Sequence, residues 1–309
     1  MNQKLRGVLA PVVTPFHADY TPDAARFIHH CRWLLKHGCN GLAVFGTNSE
    51  ANSLDAPERM QLLERLIQAG VSPAALMPGT GCCSVSETVR LTAHAVSLGC
   101  AGVLILPPFY YKGVPEEGLY RHFSEVIQRV GSDRLRLYLY HIPPVAGVGI
   151  PHGLVARLLE AYPGTVAGLK DSSGDWSHTD TLIRRFGPRG FDVFAGSEVF
   201  LLRTLRAGAA GCITAGANVN PHGIAAVYRS WEAPGAESLQ ASADAVRQVL
   251  QSTSSMIPAL KACIAHHAAD PAWRTVRPPL VELAPGEVQA LLANLSAVGF
   301  EMAGLAALD

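Results

Sequence analysis

The chain lacks any surplus of charge: lysine plus arginine and aspartate plus glutamate each number 25 among 309 residues. No basic stripe or block of like charge breaks that balance. Nucleic acid and anionic membrane surfaces are therefore not expected partners. No apolar stretch approaches the ~18 residues of a membrane span. The stretch from Gly7 to Phe16 is broken by Pro11 and Pro15, and no small-residue cleavage pattern follows it. No leader is read there, and the expected compartment is the cytoplasm. No C-x-x-C occurs. The seven cysteines (Cys31, Cys39, Cys82, Cys83, Cys100, Cys212 and Cys263) are odd in number and scattered. They read as free thiols, mostly buried, and not as a disulfide framework. The adjacent Cys82 and Cys83 could line a pocket. No G-x-G-x-x-G follows the first apolar run, which counts against a dinucleotide-binding open sheet. His29-His30 and His266-His267 are adjacent pairs, without the i, i+4 spacing of helical metal ligands, and read as solvated faces. No His/carboxylate cluster is expected at the strand ends, and no metal.

What the chain does have is a repeated alternation. Eight short apolar runs recur: Val8–Phe16, Gly41–Gly46, Ala75–Gly81, Gly102–Pro108, Arg136–Pro143, Val166–Ser173, Phe191–Gly196 and Gly211–Ala215. Most end in Gly, Pro, Ser or Thr, which is turn chemistry. Between them lie segments of helical period: Ala24–Lys36, Pro57–Ala69, Ser86–Leu98, Glu116–Val130, Pro151–Ala161, Trp176–Phe186 and Glu198–Ala207. Gly38, Gly70, Gly99 and Gly208 sit just past helix ends, as left-handed stops do. Apolar strands alternating with helices predict a parallel sheet covered on both faces. Eight units fit a closed (β/α)₈ TIM barrel, an α/β fold. From about Pro221 strand signals cease. Gly223–Glu232, Ser238–Cys263 and Pro285–Phe300 read as helices. The expected division is a catalytic barrel over 1–225 and a C-terminal helical extension over 226–309. A neutral chain of this size would also be kept soluble by burying surface in a homo-oligomer.

In such a barrel, catalytic groups stand at the C-terminal strand ends. Lys170 closes the apolar stretch Val166-Ala167-Gly168-Leu169. Burial disfavours the charged ammonium, so a neutral amine becomes available to form Schiff bases with carbonyl compounds. Tyr140 opens the closing segment of the preceding run, Tyr140-His141-Ile142-Pro143. Adjacent strands lie about 4.8 Å apart, so phenol and amine can reach one substrate atom. A phenol beside an amine and a hydroxyl relay can shuttle protons. Gly46-Thr47-Asn48 offers a hydroxyl and a tight turn that can cradle a carboxylate. Amine, shuttle and cradle are what a 2-oxo acid needs to become an imine and then an enamine. Glu50 reads as ordering its loop, and Asp171 and Asp175 as capping the helix near Trp176.

Gly46-Thr47-x-x-Glu50, Tyr140-x-x-Pro143 and Lys170-Asp171-x-Ser173-Gly174-Asp175 resemble the signatures of the dihydrodipicolinate synthase / N-acetylneuraminate lyase family. The resemblance runs over essentially the whole chain. It implies a (β/α)₈ barrel, a tetramer built from dimers, and class I aldolase chemistry on pyruvate and an aldehyde, with no cofactor beyond a covalent imine on Lys170. It makes Lys170 the Schiff-base lysine, Tyr140 the proton shuttle and Thr47 its relay. Tyr110 or Tyr111 would enter a neighbouring subunit's site, and the Ile213 backbone would lie near bound pyruvate. Among the other substrate-binding candidates, Asn48 and Ser49 stand where Thr and Gly are usual. His141 stands in place of Asn. Val145 occupies the position of the arginine that grips the carboxylate of aspartate semialdehyde. Glu198 could read hydroxyls, whereas Ala215 is apolar where the sialic-acid lyases use serine. These departures point to a less charged, more aromatic or apolar aldehyde. The alternatives are the synthase reaction itself, with aspartate semialdehyde; cleavage or dehydration of a 2-keto-3-deoxy sugar acid; and a non-catalytic 2-oxo acid binder on the same barrel.

Overall fold

The computed structural model describes residues 4–307. Seven parallel strands form the sheet: β1 (Gly7–Ala10), β2 (Gly41–Leu42), β3 (Val103–Ile105), β4 (Leu137–His141), β5 (Val166–Asp171), β6 (Asp192–Ala195) and β7 (Gly211–Ile213). Their order is β2-β1-β7-β6-β5-β4-β3. The run at 75–81 fills the gap between β2 and β3. It pairs only through the isolated parallel bridges Leu42 to Leu76 and Gly79 to Leu104. Met77 N–H donates to Leu42 O at 2.9 Å and Thr80 N–H to Leu104 O at 3.0 Å. Pro78, two residues before Thr80, has no N–H to give to β3, so this third run never becomes a continuous ladder. The ring is nonetheless closed. Its interior is filled from every side by Leu9, Ala43, Met77, Leu104, Tyr138, Tyr140, Ala167, Phe194 and Ile213. This is the layered interior of a packed barrel.

Helices α1 (Ala24–Lys36), α2 (Ala56–Gln68), α3 (Val85–Ser97), α4 (Glu116–Val130), α5 (Pro143–Ala146), α6 (His152–Ala161), α7 (Trp176–Phe186) and α8 (Leu201–Arg206) cover the outside. Their starts follow capping chemistry: Asp23, Asp55, Ser84 and Asp175 each accept a backbone N–H of the first turn. Two expectations are corrected. The helix anticipated from Glu198 opens as a 3₁₀ turn, Glu198–Phe200, before α8. The single helix anticipated over Ser238–Cys263 is two, α10 (Ala236–Gln251) and α11 (Met256–His267), after α9 (Pro221–Arg229) and before α12 (Pro285–Ala297). Ser252 and Thr253 hydroxyls bond back to Val249 O and Leu250 O, each at 2.8 Å. Such local bonds compete with helix continuation.

The boundary drawn at 225/226 falls inside α9, and the helices beyond it pack onto the barrel. Lys261 of α11 forms a fully buried ion pair with Glu50, which follows the turn after β2. Glu50 also accepts Arg277 N–H at 2.8 Å, and Lys261 donates to Thr275 O at 2.8 Å. Burial pushes the Lys261 ammonium down to about 8, against the opposing charge of Glu50. Glu50 therefore ties its loop to the extension.

Five cysteines are buried, Cys82 is half-buried and Cys83 is exposed, and all are free. Cys82 receives Arg59 at 3.4 Å. His30 is not on a solvated face: it is fully buried. No helix among the described residues is long and apolar enough to cross a membrane.

Candidate active site

Residues of β4 alternate across the sheet. Tyr138 and Tyr140 point into the barrel, while Leu137 and Leu139 pack on the outer core. Between Leu137 and Tyr138 the register with β5 slips by one residue. Leu137 faces Val166, but Tyr138 faces Gly168, and Lys170 consequently stands beside Tyr140. Without that slip Tyr140 would face Leu169. Gly168 permits it: a Cβ there would lie 2.3 Å from Asp192 O and 2.7 Å from the Tyr138 ring.

Lys170 is 3% exposed, and its Nζ lies 4.2 Å from the centre of the Tyr140 ring. The Tyr140 hydroxyl is 3.4 Å from Thr47 Oγ1. Burial pushes the Tyr140 phenol up, but the Lys170 charge and hydrogen bonds with Thr47, Lys170 and Ser172 outweigh it. The phenol thus sits below its ordinary value, which makes proton release easier. Thr47 and Asn48 belong to a 3₁₀ turn at 47–49, held by the Ser49 hydroxyl on Gly46 N–H at 3.2 Å.

These groups line a cavity of about 560 Å³. Thr47, Asn48, Tyr140 and Lys170 contribute to it from the barrel. Val145, Val199 and Phe200 add apolar wall, and Val145 is 66% exposed. Arg247, Gln251, Ser255, Met256 and Ile257 add a wall from the extension. Sequence reasoning missed this wall. Arginine and glutamine within a polar helical stretch look like solvent-facing residues, and only the packing of α10 on the barrel reveals otherwise.

Other expected residues stand elsewhere. His141, one residue after Tyr140, falls on the opposite face of β4 and does not line the cavity. Its Nδ1 accepts Ile150 N–H at 2.8 Å. Glu198 is buried behind the wall, not exposed on it. Its carboxylate accepts the Thr214 hydroxyl and Arg247 Nη1, the latter at 3.1 Å. A side chain tied in this way is not free to read substrate hydroxyls. Ile213 is fully buried in the barrel interior. Tyr110 and Tyr111 project from the loop after β3, 74% and 72% exposed, with their rings edge to face at 5.3 Å. They do not line the cavity of their own chain.

Asp175 caps α7 as expected, but Asp171 does not. The Asp171 carboxylate accepts Ser173 N–H at 2.9 Å and the Thr179 hydroxyl at 2.7 Å, and faces His178 Nδ1 at 3.1 Å. Burial would raise it, but these bonds bring it down to about 2. His178 stacks between His141 and His152, with ring centres 4.2 and 4.4 Å away. The expectation of no His/carboxylate cluster at the strand ends therefore fails: ligand atoms of His141, Asp171 and His178 lie within 4.8 Å of one another. Their hydrogen bonds are already spoken for. His178 Nε2 faces Ile150 O at 3.3 Å, and a cation at His141 Nδ1 would displace the Ile150 N–H. The arrangement suits a shared proton. Burial lowers His178, but Asp171 outweighs it and holds the ring above its ordinary value. Burial and then the His178 charge push His141 down to about 4.

Comparison with known proteins bears on the family and the fold. The family model described as the dihydrodipicolinate synthetase family matches residues 4–298. An uncharacterized DapA-like lyase of Chloroflexus aurantiacus is 35% identical over 290 residues, 93% of this chain and 95% of its own. Dihydrodipicolinate synthase from Agrobacterium tumefaciens superposes with a TM-score of 0.86 at 33% identity, over 94% of this chain and 99% of that one. YagE of E. coli K12, a prophage protein of the dihydrodipicolinic acid synthase family solved in complex with pyruvate, gives 0.87 at 26% identity, over 96% and 99% of the two chains.

Proposed function

The chain belongs to the dihydrodipicolinate synthetase family, and from that premise we propose that it is a class I lyase that joins pyruvate to an aldehyde or releases pyruvate from a larger 2-oxo acid. Lys170 Nζ adds to the ketone carbon of pyruvate to give a carbinolamine. Tyr140 returns a proton to the departing hydroxyl, water leaves, and an imine remains on Lys170. Loss of a methyl proton gives the enamine, whose carbon attacks the aldehyde carbonyl; the new alkoxide takes up a proton. Hydrolysis of the imine then frees the product and the lysine. The cleavage direction runs the same steps in reverse. Thr47 relays protons to and from Tyr140, and Thr47 and Asn48 hold the pyruvate carboxylate through charge-assisted bonds. The chemistry needs no cofactor, since the iminium itself is the electron sink.

The observation that carries this reading is the buried Lys170 amine against the Tyr140 ring at 4.2 Å, on the wall of a cavity with Thr47. The exposed Tyr110 and Tyr111 support a homo-oligomer in which one of them completes a neighbouring site. A cytoplasmic location goes with this role.

Borohydride reduction in the presence of pyruvate, followed by peptide mass spectrometry, tests the proposal. A reduced pyruvyl adduct on Lys170, lost in Lys170→Ala, is the expected outcome. A folded protein that gives no adduct would overturn it.

A further inference from the structure

Three charged side chains line the catalytic cavity among the described residues: Lys170, Asp171 and Arg247. As the Schiff-base lysine, Lys170 is consumed by the 2-oxo acid. Asp171 turns its carboxylate to His178, Thr179 and Ser173. Arg247 is the cation left for the second substrate. Position 145 offers none, because Val145 is there.

Arg247 is not a loose surface arginine. Its side chain is 12% exposed, and Nη1 lies 3.1 Å from Glu198 Oε2. Glu198 is itself fixed. It takes the Thr214 hydroxyl, and its backbone carbonyl accepts Gln240 Nε2 at 2.9 Å. Gly216 leaves room for it: a Cβ at 216 would lie 1.8 Å from Glu198 Oε1. A guanidinium has five N–H donors in a rigid fork. Glu198 occupies one of them. Arg247 Nε is buried with no partner among the described residues, which leaves the guanidinium's Nη donors to face the cavity. A held fork with donors to spare, on a cavity wall, suits an oxygen-bearing group, and a carboxylate fits its geometry best. Gln251, one turn further along α10, and Ser255 add neutral hydrogen-bonding groups to the same wall.

Resting on the Schiff-base role proposed for Lys170, we infer that Arg247 recognises the acceptor aldehyde through a carboxylate at the end remote from its carbonyl. The helical extension thereby supplies the cation that the turn after β4 lacks. The acceptor is an aldehyde acid, with its chain lying along Val145, Val199 and Phe200. This revises the expectation of a weakly charged acceptor drawn from Val145 alone.

The test compares succinate semialdehyde with its methyl ester as acceptors for pyruvate. The wild type should prefer the acid by about 10- to 100-fold in kcat/KM, the range expected for hydrogen bonds to a charged group. Arg247→Met should erase that preference, mainly through KM for the acceptor, while borohydride still traps pyruvate on Lys170. Arg247→Lys should recover part of it. Because Arg247→Met leaves the Glu198 carboxylate buried without its partner, the double variant Glu198→Gln/Arg247→Met guards against misfolding and should also lack the preference. Calorimetric titration of succinate semialdehyde into the borohydride-reduced pyruvyl enzyme gives a readout without turnover, and binding should be lost with Arg247. The inference is overturned if the acid preference survives in the variants, if the ester is preferred, or if an enzyme that traps pyruvate neither binds nor turns over the acid. Failure of the pyruvate trap is a different result and would sink the Schiff-base reading instead.

Discussion

His30 sits fully buried between two tryptophans, with ring centres 5.8 Å from Trp33 and 5.3 Å from Trp273. Among the described residues, neither ring nitrogen has a well-formed hydrogen-bond partner. Burial pushes the imidazole down to about 3, against a weaker pull from Asn218 and with a small further push from His29. Its folded value lies below its unfolded value near 6.5, so the unfolded chain takes up the proton first. The stability tied to the neutral ring is complete above pH ~6.5 and drains away as pH falls towards 3. His141, near 4, drains over the upper part of the same window. His178 is raised, and works the other way: its contribution is present in acid and is lost as pH rises through its folded value. We therefore expect urea melts of wild type and His30→Leu to diverge in the variant's favour between pH 7 and pH 5. The gap should widen by up to about 1.4 kcal/mol per pH unit. A constant gap would mean His30 takes up its proton as readily in the fold as in the unfolded chain. At this scale the legible residues are those whose meaning is local. Lys170, Tyr140 and Thr47 each stand near the end of an apolar run, and a strand end is visible in one dimension. His30 is hidden because an adjacent pair of histidines looks polar, whereas a helix of period 3.6 turns one of them inward. Arg247 is invisible because its partner Glu198 is distant in the chain.

Among the elements, the barrel's strand–helix alternation is readable nearly end to end, since capping residues and glycine stops mark helices in the chain itself. Pairing is not readable. The slip between β4 and β5 belongs to neither strand alone, and the weak edge at 75–81 follows from a missing N–H, not from hydropathy. Gly168 carries the slip. Gly168→Ala would drive a methyl into Asp192 O and the Tyr138 ring, and backbone cannot move aside as a side-chain tip can. We expect a cost of about 1–3 kcal/mol in a urea melt and slower borohydride trapping of pyruvate, because β5 must shift relative to Tyr140. A variant with unaltered trapping would show that the slip is not needed to align the two groups.

At the scale of the whole molecule, barrel and extension are joined through the buried pair of Glu50 and Lys261. Removing one charge strands the other. Lys261→Met should cost about 3–5 kcal/mol, and Glu50→Gln/Lys261→Met should recover most of the loss, as measured by urea midpoints. Equal losses in the two would place the cost in packing and not in charge. The pair also connects segments far apart in the chain, and Arg247 likewise follows the last strand. A growing polypeptide therefore acquires its amine and phenol first, and the guanidinium only when the final helices emerge. Until then the cavity around the lysine lacks the wall that α10 and the segment after it provide. If Lys170 and Arg247 act as proposed, the reacting residues are made early in this protein's synthesis and the discriminating one is made last.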